Sequence, residues 1–371
     1  MSDLDRYDEA GVSVWLDDLG RRRITSGELS RLVQQVGVRG VTTNPSIFAA
    51  AVSGGNEYRQ ELAAGRGNAV ETVQRLMVRD VRDACSILAD VFSATDAVDG
   101  RVSLEVDPRL AFDTAGTIAA AREVWHDVDR PNAMVKIPAT EAGLPAITES
   151  LAAGISVNVT LIFGIERYRA VQDAWAEGMQ QALTAGHDLS QIGSVASFFV
   201  SRLDTAVDRR LDAKLAAGEL DQARHDELRG RAAVANARNA YRVFDQARQS
   251  ADWQALGAAG AHPQRPLWAS TSTKDPTFAP TRYVDELIAP DTVNTMPGKT
   301  LDAVLAAGSA PPALAIDERT AAADAQLFKQ LGAEGIDYDD VVGELEREGV
   351  QSFIDAWESL LGLVDSASRK S

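Results

Sequence analysis

Hydrophobic and polar positions along the chain follow two alternating periods. Short runs rich in Val, Ile and aromatic residues are separated by longer stretches in which apolar residues recur every three or four positions. The short runs give eight strand candidates: VSVWLD (12–17), GVTTN (40–44), VSLEVD (102–107), AMVKI (133–137), SVNVTLI (156–162), GSVASFFV (193–200), PLWAS (266–270) and TVNTMP (292–297). Before the third, Val73, Met77, Val81, Ala84, Leu88 and Val91 form a helical stripe, and after the fifth Tyr168, Val171, Trp175, Met179 and Leu183 form another. A longer helical region spans roughly residues 203–250, and residues 317–366 add helices whose packing face is Phe353, Trp357, Leu360 and Leu361. Eight strands in regular alternation with helices predict an α/β protein built as a single (β/α)8 barrel rather than an open doubly wound sheet. No internal repeat or Pro/Gly/Ser-rich linker divides the chain, so residues 1–371 read as one domain, with about 310–371 as a helical C-terminal extension packed on it.

Composition narrows the partners. A hydrophobic share of 45% and a charged share of 25% are ordinary for a globular protein with a sizeable core. The net charge of −17 argues against nucleic acid, whose phosphates need a basic face. A small anionic ligand is compatible with it, because a few arginines can dominate one pocket. Cys85 is the only cysteine, which rules out an intrachain disulfide and a cysteine-based metal site. The start MSDLDRYDEAG has no basic-then-apolar leader and no run of about 18 apolar residues occurs, so a cytoplasmic protein without a membrane partner is expected. His126, His187, His225 and His262 lie far apart and are expected at the surface, leaving no metal site. PGKT (297–300) is not a phosphate loop, because Val293 stands where its leading glycine belongs, and no G-x-G-x-x-G follows a strand. The sequon at Asn158–Thr160 is accidental on a strand, and Arg21, Arg22 and Arg23 read as a solvated charge run.

The chemistry concentrates at strand ends. In a barrel of this kind, polar residues at the C-terminal ends of strands face the active site. Those positions hold Asp17, Asn44, Glu105, Lys136, Asn158, Thr160, Ser197, Ser270, Asn294 and Thr295. So many polar groups are costly in a plain core, where each unpaired one costs ~1–3 kcal/mol. Lys136 is conspicuous: the chain has 31 arginines and six lysines, and no other lysine precedes Lys214. A lysine buried in an apolar strand is desolvated, which favours the neutral amine that attacks a carbonyl and suits Schiff-base chemistry. Position alone leaves open a structural ion pair with Glu105 or Asp17.

Five motifs then carry a family resemblance. GVTTNPSIF (40–48), MVKIPAT (134–140), NVTLIFGIERY (158–168), SFFVSRLD (197–204) and WASTSTKDP (268–276) together resemble the transaldolases, in their longer bacterial form. The matches run in order from Asp17 to about residue 300. The resemblance implies a cofactor-independent barrel enzyme of the class I aldolase type. It would transfer a dihydroxyacetone unit reversibly from sedoheptulose 7-phosphate to glyceraldehyde 3-phosphate, giving erythrose 4-phosphate and fructose 6-phosphate, in the non-oxidative pentose phosphate pathway. By matched position Lys136 would be the Schiff-base nucleophile, and Asp17, with neighbouring Asp18 as the alternative, the base for the hydroxyl proton. Glu105, acting through a water held by Thr160, would be the general acid/base. Asn44, Asn158 and Ser197 would bind the hydroxyls of the three-carbon unit, Thr43 would support the turn before Pro45, Arg202 would grip the phosphate, and Ser270 would assist.

One motif departs from the pattern. Shorter transaldolases read A-S-F-R in the seventh strand, whereas this chain has Ala269-Ser270-Thr271-Ser272 followed by Thr273 and Lys274. Lys274 is expected to supply the missing charge. Sugar phosphates are the expected partners, and a homodimer is left open. The alternatives are a fructose-6-phosphate aldolase-like enzyme that releases the three-carbon unit, or a silent phosphosugar-binding barrel. The full set Asp17, Glu105, Lys136 and Thr160 weighs against the silent barrel.

Overall fold

The computed structural model describes residues 3–63, 67–308 and 316–368. Residues 310–315 and 369–371 of the expected C-terminal extension lie outside the described residues. Eight strands close into a barrel: β1 (Val12–Asp17), β2 (Gly40–Thr42), β3 (Arg101–Glu105), β4 (Ala133–Pro138), β5 (Val157–Ile162), β6 (Ser194–Phe199), β7 (Arg265–Ala269) and β8 (Thr292–Met296). Each runs parallel to its neighbours, and β8 closes on β1 with Leu16 opposite Met296. All eight expected strands are present. The second and third stop two residues early, for local reasons. Asn44 leaves the sheet to cap the next helix, its Oδ1 accepting the Ile47 N–H at 3.0 Å ahead of Pro45 at the first helical position. Asp107 likewise accepts the Arg109 N–H and starts the 3-10 turn Pro108–Leu110.

The principal helices are α1 (Pro45–Ser53), α2 (Ala69–Ile87), α3 (Thr114–Val128), α4 (Gly143–Ala152), α5 (Ile165–Thr184), α6 (Ser201–Ala217), α7 (Ala232–Arg248), α8 (Gly298–Ala307), α9 (Glu318–Ala333) and α10 (Tyr338–Ser368). The long helical region expected at about 203–250 is made of successive helices. Gly218, in the left-handed conformation, ends α6, and Asp204 and Asp208 of α6 accept the Ala233 and Gly230 N–H groups at 2.7 and 2.8 Å, pinning the start of α7. The PGKT segment opens α8. Among the described residues no helix is long and apolar enough to cross a membrane.

Two interior features hold the barrel together. Trp15 fills the lumen opposite Gly40, where an added Cβ would lie 2.5 Å from the indole ring. Below it, Asp99 accepts hydrogen bonds from Ser13 Oγ (2.6 Å), Trp15 Nε1 (3.1 Å) and Arg265 Nη2 (2.8 Å), forming a paired polar floor. At the opposite end α10 packs across α1, α2, α6 and β5. Phe353, Trp357 and Leu360 are buried as expected and Leu361 is half-buried.

Two surface expectations are corrected. Arg21 is buried, donating to Asp80 Oδ1 at 2.5 Å and pairing with Glu61, so only Arg22 of the charge run is exposed. His225 is also buried, with Asp212 Oδ1 2.8 Å from Nε2 and Asp226 Oδ1 3.0 Å from Nδ1. His262 is half-buried against the Asp96 carbonyl, while His126 and His187 are exposed.

Candidate active site

The parallel register assembles the site. Glu105 on β3 lies opposite Lys136 on β4, and Lys136 lies opposite Asn158 on β5, so three polar side chains stand at one level of the barrel. Lys136 is 5% exposed; its Nζ donates to the Thr43 carbonyl at 3.2 Å and lies 3.8 Å from Glu105 Oε1. That is an ion-pair distance, too long for a hydrogen bond. Among the described residues neither Glu105 oxygen has a hydrogen-bond partner, and the same holds for the buried hydroxyls of Thr43 and Thr160. Burial, opposed by the Lys136 charge and reinforced by that of Asp17, pushes the Glu105 carboxyl up to about 7.

Thr160 follows Asn158 by two residues, in register with Pro138 of β4, and stands next to an irregularity in β5. Val159 pairs with Ala196, but Ile162 pairs with Phe198, so three steps on β5 match two on β6. Leu161 absorbs the extra residue at φ +60°, a conformation that costs a branched L-residue free energy and that re-aims the side chains around it. Beneath Thr160, Asn158 Nδ2 donates to Ser103 Oγ (2.9 Å) and its Oδ1 accepts from Ser197 Oγ (2.7 Å), which fixes the amide plane.

Asp17 and Asp18 are separated by geometry. Asp17 Oδ1 accepts from Thr42 Oγ1 at 2.6 Å, and Thr42 in turn contacts Thr295 Oγ1 at 2.8 Å. Burial and the neighbouring Asp18 raise the Asp17 carboxyl, against the pull of Lys136 and Thr42. Asp18 lines the cleft as well, but pairs with Arg23 at 2.6 Å. Strand alternation also splits the β8 pair: Thr295 faces the lumen, whereas Asn294 donates to the Tyr283 carbonyl at 3.3 Å.

A cleft of about 700 Å³ opens above these residues, lined by Asp17, Asn44, Arg22, Arg23, Arg202 and Phe353 among others. Arg202, at the start of α6, stacks over Phe199 with 5.3 Å to the ring centroid; burial lowers its pKa and Glu348 opposes the shift. Ser270 follows β7 at φ +55°, its Oγ 3.0 Å from Ser201 Oγ. Lys274 is exposed and does not line this cleft; its Nζ donates to Ser272 Oγ at 2.9 Å in an adjoining depression of about 300 Å³. The surrounding protein and the like charge of Arg202 hold the Lys274 ammonium below the usual lysine range. The expected site residues therefore converge on one end of the barrel, Lys274 standing at its margin.

Comparison with known proteins gives this arrangement a lineage. The family described as Transaldolase/Fructose-6-phosphate aldolase matches residues 14–364. The chain belongs to that family. It is 53% identical to the Saccharopolyspora erythraea transaldolase, covering 98% of this chain and 97% of the relative. It is 54% identical to the Thermobifida fusca transaldolase over 98% and 97% of the two chains, and 54% identical to the Mycolicibacterium paratuberculosis transaldolase over 95% and 93%. The family match ends within α10, so it includes the helix that crosses the barrel mouth.

Sequence reasoning missed four contributors to the site. The Thr43 carbonyl holds Lys136, Arg22 and Arg23 reach the cleft, and Phe353 lies with its ring centroid 5.8 Å from Lys136 Nζ. Helical period marked Phe353 as a packing residue, but period alone does not say what a helix packs against.

Proposed function

We propose that the protein is a transaldolase, moving a dihydroxyacetone unit between phosphosugars through a Schiff base on Lys136. The carrying observation is the buried Lys136 amine beside a Glu105 carboxyl that titrates near neutral pH, under a cleft that reaches Arg202. The amine attacks the donor ketone, and the protonated imine then accepts the electron pair of the breaking carbon–carbon bond. Glu105 is suited to proton transfer at carbinolamine formation and breakdown, because its pKa lies close to the working pH. Thr160, whose hydroxyl has no protein partner among the described residues, is the group that holds the water through which Glu105 works. Asp17 takes the proton of the hydroxyl on the departing carbon. Asn44, Asn158 and Ser197 hold the hydroxyls of the three-carbon unit, with the amide plane of Asn158 preset by Ser103. Arg202 binds the phosphate by charge-assisted hydrogen bonds, Ser270 assists from the end of β7, and Lys274 adds charge to that end of the site.

The test is borohydride reduction with fructose 6-phosphate, followed by peptide mass mapping. A dihydroxyacetone-sized adduct on Lys136 is expected. A folded protein that gives no adduct there would make Lys136 a structural partner of Glu105 and remove the Schiff-base reading. The family name also covers fructose-6-phosphate aldolase. Product analysis with and without an aldehyde acceptor separates transfer from release.

A further inference from the structure

Phe353 stands between the open cleft and the buried amine. It lies on α10, is 4% exposed, lines the cleft, and sits with its ring centroid 5.8 Å from Lys136 Nζ. Lys136 itself does not line that cleft. The helix is seated tightly one turn earlier: a Cβ on Gly349 would lie 3.2 Å from Leu161 and 3.3 Å from Phe163, so α10 rests on the bulged end of β5. One turn later Trp357 is buried. Phe353 is therefore clamped over the reacting lysine by the turns on either side of it.

We infer that Phe353 is a specificity-determining residue, a hydrophobic roof that keeps water from the three-carbon enamine and so favours transfer over release. The inference rests on Lys136 being the nucleophile. With fructose 6-phosphate as donor, cleavage expels glyceraldehyde 3-phosphate and leaves an enamine on Lys136. Transfer joins the nucleophilic enamine carbon to the carbonyl carbon of an acceptor aldehyde. Release instead requires a proton on that same enamine carbon, which gives an iminium ion. One water then adds to the C=N carbon, the C–N bond breaks, the ketone re-forms, and the lysine leaves as an ammonium ion. The proton on the enamine carbon is the step that release needs and transfer does not, and closure of the site by an apolar side chain withholds the solvent that would deliver it, whereas the water held by Thr160 serves the imine in both routes.

The experiment is the ratio of free dihydroxyacetone to transferred product, with erythrose 4-phosphate as acceptor, across Phe353→Leu, Phe353→Val and Phe353→Ala. The ratio compares two fates of one intermediate, so it does not depend on how much of a variant is folded. It should stay near the parent value in Phe353→Leu and rise as the side chain shrinks, by about tenfold in the smallest variant that folds, a change of ~1.4 kcal/mol in relative barrier. A flat ratio across the folded variants, or equal loss of both products, overturns the roof. Borohydride trapping on each variant keeps the two readings apart: no adduct on Lys136 in the parent protein is a failure of the nucleophile assignment, whereas an adduct with a flat ratio is a failure of Phe353.

Discussion

Replacing Glu105 by Gln should reshape the pH dependence of both stability and rate. Glu105 is 3% exposed, and its charged neighbour of opposite sign among the described residues is Lys136, 3.8 Å away. Burial, partly offset by Lys136 and reinforced by Asp17, holds the carboxyl protonated up to about 7. Against an ordinary glutamate near ~4.3, that is a preference of roughly 3–4 kcal/mol for the neutral form in the folded protein. The sign follows from proton counting. Between about pH 4.3 and 7 the unfolded chain has lost a proton that the folded chain keeps, so stability falls as pH rises and then levels off. An amide at this position has no such proton to lose, so Glu105→Gln should gain on the parent by about 2–3 kcal/mol between pH 5 and pH 8. Urea unfolding of the two proteins at pH 5, 6, 7 and 8 measures the gap. The substitution should also lower the rate by ~10²–10⁴ and remove a pH-rate limb near neutrality. A gap that is the same at pH 5 and pH 8 would falsify the burial account of Glu105.

Two further outcomes follow from single contacts. Lys274→Ala removes the charge beside Arg202 and should raise KM for phosphorylated substrates by roughly 3- to 10-fold with little change in kcat; steady-state kinetics with an unchanged KM would take Lys274 out of the site. Gly40→Ala drives a methyl group into the Trp15 ring, where the ideal Cβ sits 2.5 Å from Cδ2, and should cost about 1–3 kcal/mol. Thermal unfolding at the parent midpoint would show that the lumen has room that the geometry denies.

The fold was legible because a parallel barrel repeats one signal eight times, and each repeat reinforces the others. Boundaries failed where a side chain competed for the backbone, as Asn44 and Asp107 do in capping the next turn. The candidate site was legible as a set of strand-end polar residues, since Lys136 breaks an apolar run. Its register was not. Glu105 beside Lys136 beside Asn158 depends on how three distant strands align, which no local pattern states. Asp17 and Asp18 differ in their partners, Thr42 for the one and Arg23 for the other, and no local pattern states either contact. Arg21 was misread because its carboxylate partners, Glu61 and Asp80, lie 40 and 59 residues away. Phe353 was found as a packing residue and missed as a neighbour of the amine for the same reason.

Two carboxylates inside this barrel show how the same burial can serve opposite ends. Asp99 and Glu105 are both enclosed, and enclosure alone raises a carboxyl pKa. At the floor, burial of Asp99 is outweighed by Arg265 together with hydrogen bonds from Ser13 and Trp15, so its pKa falls and its charge is retained. At the mouth, Glu105 meets one ammonium across 3.8 Å and no hydrogen-bond donor among the described residues, so its pKa rises. A fully paired ion holds strands together and has little capacity left for a ligand. An unpaired group costs about 1–3 kcal/mol in the folded state, and Glu105, Thr43 and Thr160 are three such groups near Lys136. A bound substrate carrying hydroxyls and a carbonyl can complete those groups. The same unsatisfied groups that weaken the mouth of the barrel are therefore the ones positioned to recognise a polar three-carbon unit, while the paired floor supplies the rigidity that keeps them in place.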